Sequence, residues 1–314
     1  MKVKIEELID EVASKVGYGE IMGSTESVEY VLDNMKYIIS IVDNMKDLVR
    51  YIILLVTKSI KARPTSAMLI NSSRQILMKL NELLDKNISL RELKEELPKL
   101  IDDISLKAKV AIDQAARIAS HRIVDGDHIM TISYSRSILR TLDYAIMDGK
   151  NIKVTILESR PGGEGIIVAG ILGKKGIPTT LIVDSAARVF MDDVDIVLVG
   201  AEAIAANGAV VSKVGTSVIA SLAHEARVRV MVAAGTHKFS PETIVGRLVE
   251  MEEGSPEDVL PLNEAREMMG VLVRNPLYDA TPPQYIDIIV TEEGVIPPEG
   301  VYMMLIQGVG LHAA

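Results

Sequence analysis

The stretch Gly126–Arg140, GDHIMTISYSRSILR, runs an apolar, β-branched burst into three consecutive hydroxyls, Ser133, Tyr134 and Ser135. It is also where the texture of the chain changes. Upstream, apolar residues recur at helical spacing: Val28, Val31, Leu32, Met35, Ile38, Ile39 and Val42 form one stripe, Ile76, Leu77, Leu80, Leu83 and Leu84 a second, and Ile104, Ala108, Ala111, Ala115 and Ile118 a third. Pro64 and Pro98 fall where stripes change and are expected at helix boundaries. Downstream come short runs, each followed by a helical stretch: HIMTIS, IKVTIL, TTLIV, VDIVLV, VRVMVA and IDIIV.

Six such runs predict βα units on a parallel sheet. The expected architecture is α/β: an N-terminal helical domain over residues 1–121, then a Rossmann-like parallel-sheet domain over residues 122–314. The acidic, proline-containing segment EMEEGSPEDVLPLNEAREMMG reads as a solvated excursion with a short helix between the fifth and sixth strands.

Composition narrows the chemistry. The 314 residues carry a formal charge of −9, which argues against the broad basic surface of a nucleic-acid binder. Charges interrupt the opening MKVKIEELIDEV, and the apolar run YIILLV is far shorter than the ~20 residues a bilayer requires, so a cytoplasmic protein without membrane contact is expected. Cysteine is absent, which removes disulfides, thiolate metal sites and a cysteine acid or nucleophile. The five histidines, His121, His128, His224, His237 and His312, lack the spacing of a zinc site, so neither metal nor cofactor is expected.

Ligands of an open parallel sheet bind beyond the carboxyl ends of its strands. That rule gathers Ser133, Tyr134 and Ser135, the segment ESRPGGEG from Glu158, Asp184 and Ser185, the segment GAEAIAANGAVVSKVGTS from Gly200, and Thr236 with His237. In the second group Arg160 adjoins a turn through Gly162 and Gly163 at an expected helix start, where a guanidinium and free backbone N–H groups suit a phosphate; a surface arginine beside a plain turn is the competing reading. The turn is neither a P-loop nor a GxGxxG fingerprint. In the fourth group Asn207 and Gly208 form a turn and Lys213 precedes a helix opened by Gly215. Lys213 reads either as a point charge for phosphate or as a solvated lysine. Glu202 directly follows a buried strand, where a carboxylate needs a partner. No Ser/His/Asp order or GxSxG elbow is present.

The blocks DGDHIMT, ESRPGGEG, VDSAAR, VLVGAEAIAANGAVVSKVGT, YDATPP and VTEEGVIPP resemble the alpha/beta/delta subunits of translation initiation factor two-B and the related ribose-1,5-bisphosphate and methylthioribose-1-phosphate isomerases. ARPTSAMLI resembles the archaeal ribose-bisphosphate isomerases. The resemblance implies a helical domain on a Rossmann-like domain, a sugar-phosphate pocket between them, and assembly as a homodimer or larger through the second domain. It also implies isomerase acid and base positions at Ser133 and Glu202, held by cysteine and aspartate in the isomerases, and pocket positions at Arg63, Arg160, Asn207 and Lys213. IMGSTES stands where the isomerases share an Arg-Gly turn, and Ser212-Lys213 replaces Asn-Lys.

A serine hydroxyl ionises far less readily than a thiol, and glutamate displaces the carboxylate by a methylene, where a 1 Å error costs roughly 100-fold in rate. The expectation is therefore a non-catalytic member. It would bind a sugar phosphate or nucleotide through Arg63, Ser133, Arg160, Gly162, Gly163, Glu202, Asn207 and Lys213, with a translation initiation factor subunit as partner. The alternative is a ribose-1,5-bisphosphate isomerase using Glu202, and a third reading treats the polar rim as ordinary strand-end chemistry on a scaffold.

Overall fold

The computed structural model describes residues 2–17, 20–265, 268 and 270–308; His312 lies outside them. Two compact units divide the chain, Met1–Val110 and Ala111–Ala314.

The first unit is built from α1 (Lys2–Gly17), α2 (Ser24–Ile41), α3 (Met45–Ala62), α4 (Ala67–Asp85) and the start of α5 (Leu90–Ser120). Local chemistry sets the helix starts. Asn44 and Ser66 accept from the amides of Asp47 and Leu69 at 3.0 and 3.3 Å, and Ser89 with Glu92 forms a reciprocal capping box. The α2 stripe is buried in full, and Ile76, Leu80 and Leu83 bury the face of α4.

Pro64 lies between α3 and α4 as expected, but Pro98 does not end a helix. It sits inside α5. Leu93, Leu97, Ile101, Ile104 and Ala108 form one buried stripe on both sides of it, so packing holds the helix through the residue that removes a backbone donor. The units divide within α5, where Ile118 and Ala119 pack with the core of the second unit. The sequence, which marks only where helical periodicity stops, places that boundary at 121/122.

The second unit continues as β1 (His128–Ile132), α6 (Arg136–Met147), β2 (Lys153–Leu157), α7 (Glu164–Lys174), β3 (Thr179–Ile182), α8 (Ala187–Phe190), β4 (Ile196–Val199), β5 (Ala203–Ala205) and β6 (Val210–Lys213). It then runs through α9 (Thr216–Ala226), β7 (Arg229–Ala233), β8 (Phe239–Ser240), α10 (Leu262–Ala265), β9 (Tyr278–Thr281), β10 (Ile288–Thr291), β11 (Gly294–Ile296) and α11 (Gly300–Gly308). All six predicted runs become neighbours in one sheet, ordered β11-β10-β7-β4-β1-β2-β3 and parallel except for the antiparallel β10–β11 pair. Both faces are buried: Met130, Ile132, Val197, Val199, Val230 and Val232 face one core, while Ile129, Ile196, Leu198, Met231 and Ala233 face the other. This is the Rossmann-like doubly wound order, reversing between β1 and β4.

A four-stranded sheet, β8-β5-β6-β9, was not anticipated. Its strands of two to four residues are too short to show a period of two. The acidic excursion is a loop with one turn of 3-10 helix at Pro256–Asp258 and the short α10, its residues 266, 267 and 269 lying outside the described set. No helix among the described residues is long and apolar enough to cross a membrane.

Candidate functional site

The sheet order reverses between β1 and β4, which opens a crevice beyond their carboxyl ends. Ser133 follows β1 in a left-handed backbone conformation with φ 63°, and its amide donates to Ser159 Oγ at 2.7 Å. Ser159, beyond β2, donates its own amide to Asp184 Oδ1 at 2.8 Å, and the amide of Arg160 donates to Asp184 Oδ2 at 2.7 Å. Asp184 follows β3. One carboxylate and one hydroxyl thus tie three strand-end loops together.

The fourth loop joins by close approach. A Cβ at Gly200 would stand 2.4 Å from Ser135 Oγ, so any larger residue leaving β4 would have to displace that hydroxyl at the start of α6. Ser135 is the N-cap of α6, a structural role for one of the three hydroxyls. Tyr134 packs against the core below.

The glycine-rich turn behaves as predicted: Gly163 is the N-cap of α7, and Glu164 is its first residue. At Gly165 an added Cβ would lie 1.7 Å from the Leu157 carbonyl oxygen, so this glycine seats α7 directly on the end of β2. Lys213 is not the solvated lysine of the bland reading. It ends β6 buried, its Nζ donating to Glu164 Oε1 at 2.8 Å. Glu164 Oε2 is also enclosed, and it has no hydrogen-bond partner among the described residues. Behind Lys213, Asp279 of β9 accepts from the amides of Gly215 and Ser217 at 2.8 and 3.2 Å and from Ser217 Oγ–H at 2.8 Å, fixing the loop into α9. Burial pushes the Asp279 carboxyl above the usual range, and those donors partly oppose the rise.

Glu202 is buried between β4 and β5, with its amide donating to the Val211 carbonyl at 2.8 Å. Glu202 and Lys213 therefore stand at the open end of the β5–β6 hairpin. Asn207 does not join them. It is exposed at the hairpin tip, its Oδ1 accepting from the Ala209 amide at 3.1 Å, and three strand residues remove it by roughly 10 Å. Arg160 is exposed and donates to the Asp258 carbonyl at 3.2 Å, with no ion pair among the described residues. Arg63 belongs to the helical unit, where it is buried and donates to Ser27 Oγ at 2.9 Å; RPTS and IMGSTES thus meet inside that unit.

Two rim residues prove structural. The Thr236 hydroxyl donates to Glu292 Oε1 at 2.6 Å, and its amide to Oε2 at 2.9 Å. Both nitrogens of His237 are enclosed, and desolvation, followed by the charge of Lys238, pushes its pKa down to about 3. His128 bridges the Asp193 carbonyl and Thr155 Oγ1, each at 2.8 Å. No group of three histidine, aspartate or glutamate side chains suited to a metal ion occurs among the described residues. Sequence reasoning gathered Ser159 and Glu164 within ESRPGGEG but gave neither a role of its own: Ser159 reads as part of a plain turn, and an acidic residue at a helix start reads as ordinary dipole complementation.

A helical unit followed by a doubly wound sheet, with a carboxylate and an ammonium buried at the sheet's carboxyl edge, defines a Rossmann-like α/β protein with a polar cradle at its switch point. Residues 21–298 match the initiation factor 2 subunit family, and the chain belongs to it. A ribose 1,5-bisphosphate isomerase from Methanocaldococcus jannaschii is 43% identical over 246 residues, covering 78% of this chain and 77% of that one. Among solved structures, the Pyrococcus horikoshii translation initiation factor eIF-2B superposes with a TM-score of 0.78 at 27% identity, covering 93% and 98% of the two chains. A chain of the tetrameric eIF2B-beta2-delta2 complex from C. thermophilum superposes with a TM-score of 0.75 at 26% identity, covering 90% of each.

Proposed function

We propose that the protein is an aldose–ketose isomerase of sugar phosphates, with ribose 1,5-bisphosphate as substrate and Glu202 as its base. The carrying observation is the buried carboxylate of Glu202 at the open end of a hairpin that also buries Lys213, beside the switch point of the sheet. The relative from M. jannaschii supports the substrate class. The isomerisation moves one hydrogen from C2 to C1 and the C2 hydroxyl proton to the ring oxygen as the C1–O4 bond breaks, leaving a carbonyl at C2. Glu202 takes the C2 proton and returns it to C1. The Ser133 hydroxyl or a water hands a proton to the ring oxygen, and Lys213 and Arg160 meet phosphoryl groups. Purified protein converting ribose 1,5-bisphosphate in a single turnover, with Glu202→Gln reducing conversion at least 100-fold, is the expected result. Conversion unchanged in that variant would remove Glu202 from the chemistry.

A second reading, binding without turnover, rests on a separate observation. The chain has no cysteine, and the Ser133 hydroxyl makes no hydrogen bond to a base among the described residues. Nothing therefore activates it. Calorimetric binding of ribose 1,5-bisphosphate with no product formed would favour this reading, under which a translation initiation factor subunit is the proposed partner. Both readings take the protein to be a cytoplasmic homodimer or larger assembly.

A further inference from the structure

The Lys213–Glu164 pair is incompletely satisfied in a way that points at its ligand. An ammonium has three donors, and among the described residues Nζ has one side-chain partner, Glu164 Oε1 at 2.8 Å. Glu164 answers with one oxygen only, since Oε2 is enclosed without a hydrogen-bond partner among the described residues. The carboxylate is also folded back over the glycine-rich turn: a Cβ at Gly162 would lie 2.6–2.8 Å from its oxygens and carboxyl carbon. It therefore lies beside the turn that opens α7, a helix of 11 residues, where anions are favoured. Of the two features that would attract a phosphoryl group, the buried ammonium already holds an internal anion, and the same carboxylate lies over the helix start.

We propose that Glu164 is a specificity-determining residue whose carboxylate occupies the Lys213 ammonium and must yield it before a phosphoryl group can bind there. The proposal rests on the sugar-phosphate reading of the same cradle. A phosphate dianion and a carboxylate on one ammonium repel each other, so the resident side chain lowers affinity for a dianion and disfavours simple anions that bring no further contacts to displace it. Loss of its charge releases Lys213.

The test is calorimetric titration of ribose 1,5-bisphosphate, with inorganic phosphate as a second probe, into the wild-type protein, Glu164→Gln, Glu164→Ser and the double variant Glu164→Gln/Lys213→Met. Thermal unfolding establishes that each variant is folded. The expected result is binding at least tenfold tighter in both single variants, with the gain abolished in the double variant. Wild-type binding with equal or weaker binding in the single variants would overturn the proposal and leave the sugar-phosphate reading standing. Absence of binding in every protein would overturn both, and unfolding of both single variants would assign the pair to stability instead.

Discussion

Gly165 shows how much a single hydrogen atom in place of a side chain can decide. With 1.7 Å between a notional Cβ and the Leu157 carbonyl oxygen, Gly165→Ala must push α7 off β2. A loss of about 3 kcal/mol is expected, read as a fall in the urea midpoint at constant slope. His237 supplies a second residue-scale test. Its folded pKa of about 3 lies below the ordinary 6.5, so the fold favours the neutral ring. Its contribution to stability is complete above pH 6.5 and drains away as pH falls toward 3, by roughly 1.4 kcal/mol for each unit separating the two values. Urea midpoints at pH 7.5, 5.5 and 4 should fall in that order, and His237→Gln should flatten the dependence. At this scale the sequence was informative where chain position alone forces burial, as with Glu202 after β4. It left Lys213 between a point charge for phosphate and a solvated lysine, because a lysine beside a turn shows nothing of the carboxylate that meets it from α7. It grouped Asn207 with Glu202 and Lys213, which the hairpin sets at its opposite end, because adjacency along a hairpin is not adjacency across it.

At the scale of elements, α5 is the clearest contest between local propensity and packing. Pro98 withdraws a backbone donor from the interior of a 31-residue helix, yet Leu93, Leu97 and Ile101 stay fully buried around it. Pro98→Ala should restore the hydrogen bond to the Lys94 carbonyl and raise stability by roughly 1–3 kcal/mol, measured by thermal unfolding. No change or a loss would mean that the ring of Pro98 packs usefully. The long elements were legible because six β-branched runs and three apolar stripes each repeat often enough to reveal a period. The small sheet was not, since pairing such as Ile204 with Phe239 is written in tertiary contact alone.

For the whole molecule, the second unit leaves apolar side chains uncovered on one helix and the strand it packs against: Ile166 and Ile167 of α7 and Leu181 of edge strand β3 are exposed. Light scattering in solution should return at least twice the 34.2 kDa of one chain, and charged substitution at Ile166 and Leu181 should lower that mass. A single-chain mass for the wild type would contradict the expected assembly. The fold class was readable from the order of textures along the chain. The chemistry was readable only as a set of candidates, because the polar residues gathered at the sheet edge come from five separated segments and nothing in their spacing states which of them meet.

The bond from Ser133 to Ser159, and the two that Asp184 accepts, carry a mechanical consequence. The amides of Ser133, Ser159 and Arg160 are clamped by one shared set of acceptors, so none of them swings outward alone. Deuterium should enter all three through a common opening event, and loosening the clamp at Asp184 should quicken uptake at Ser133, which lies two strands away.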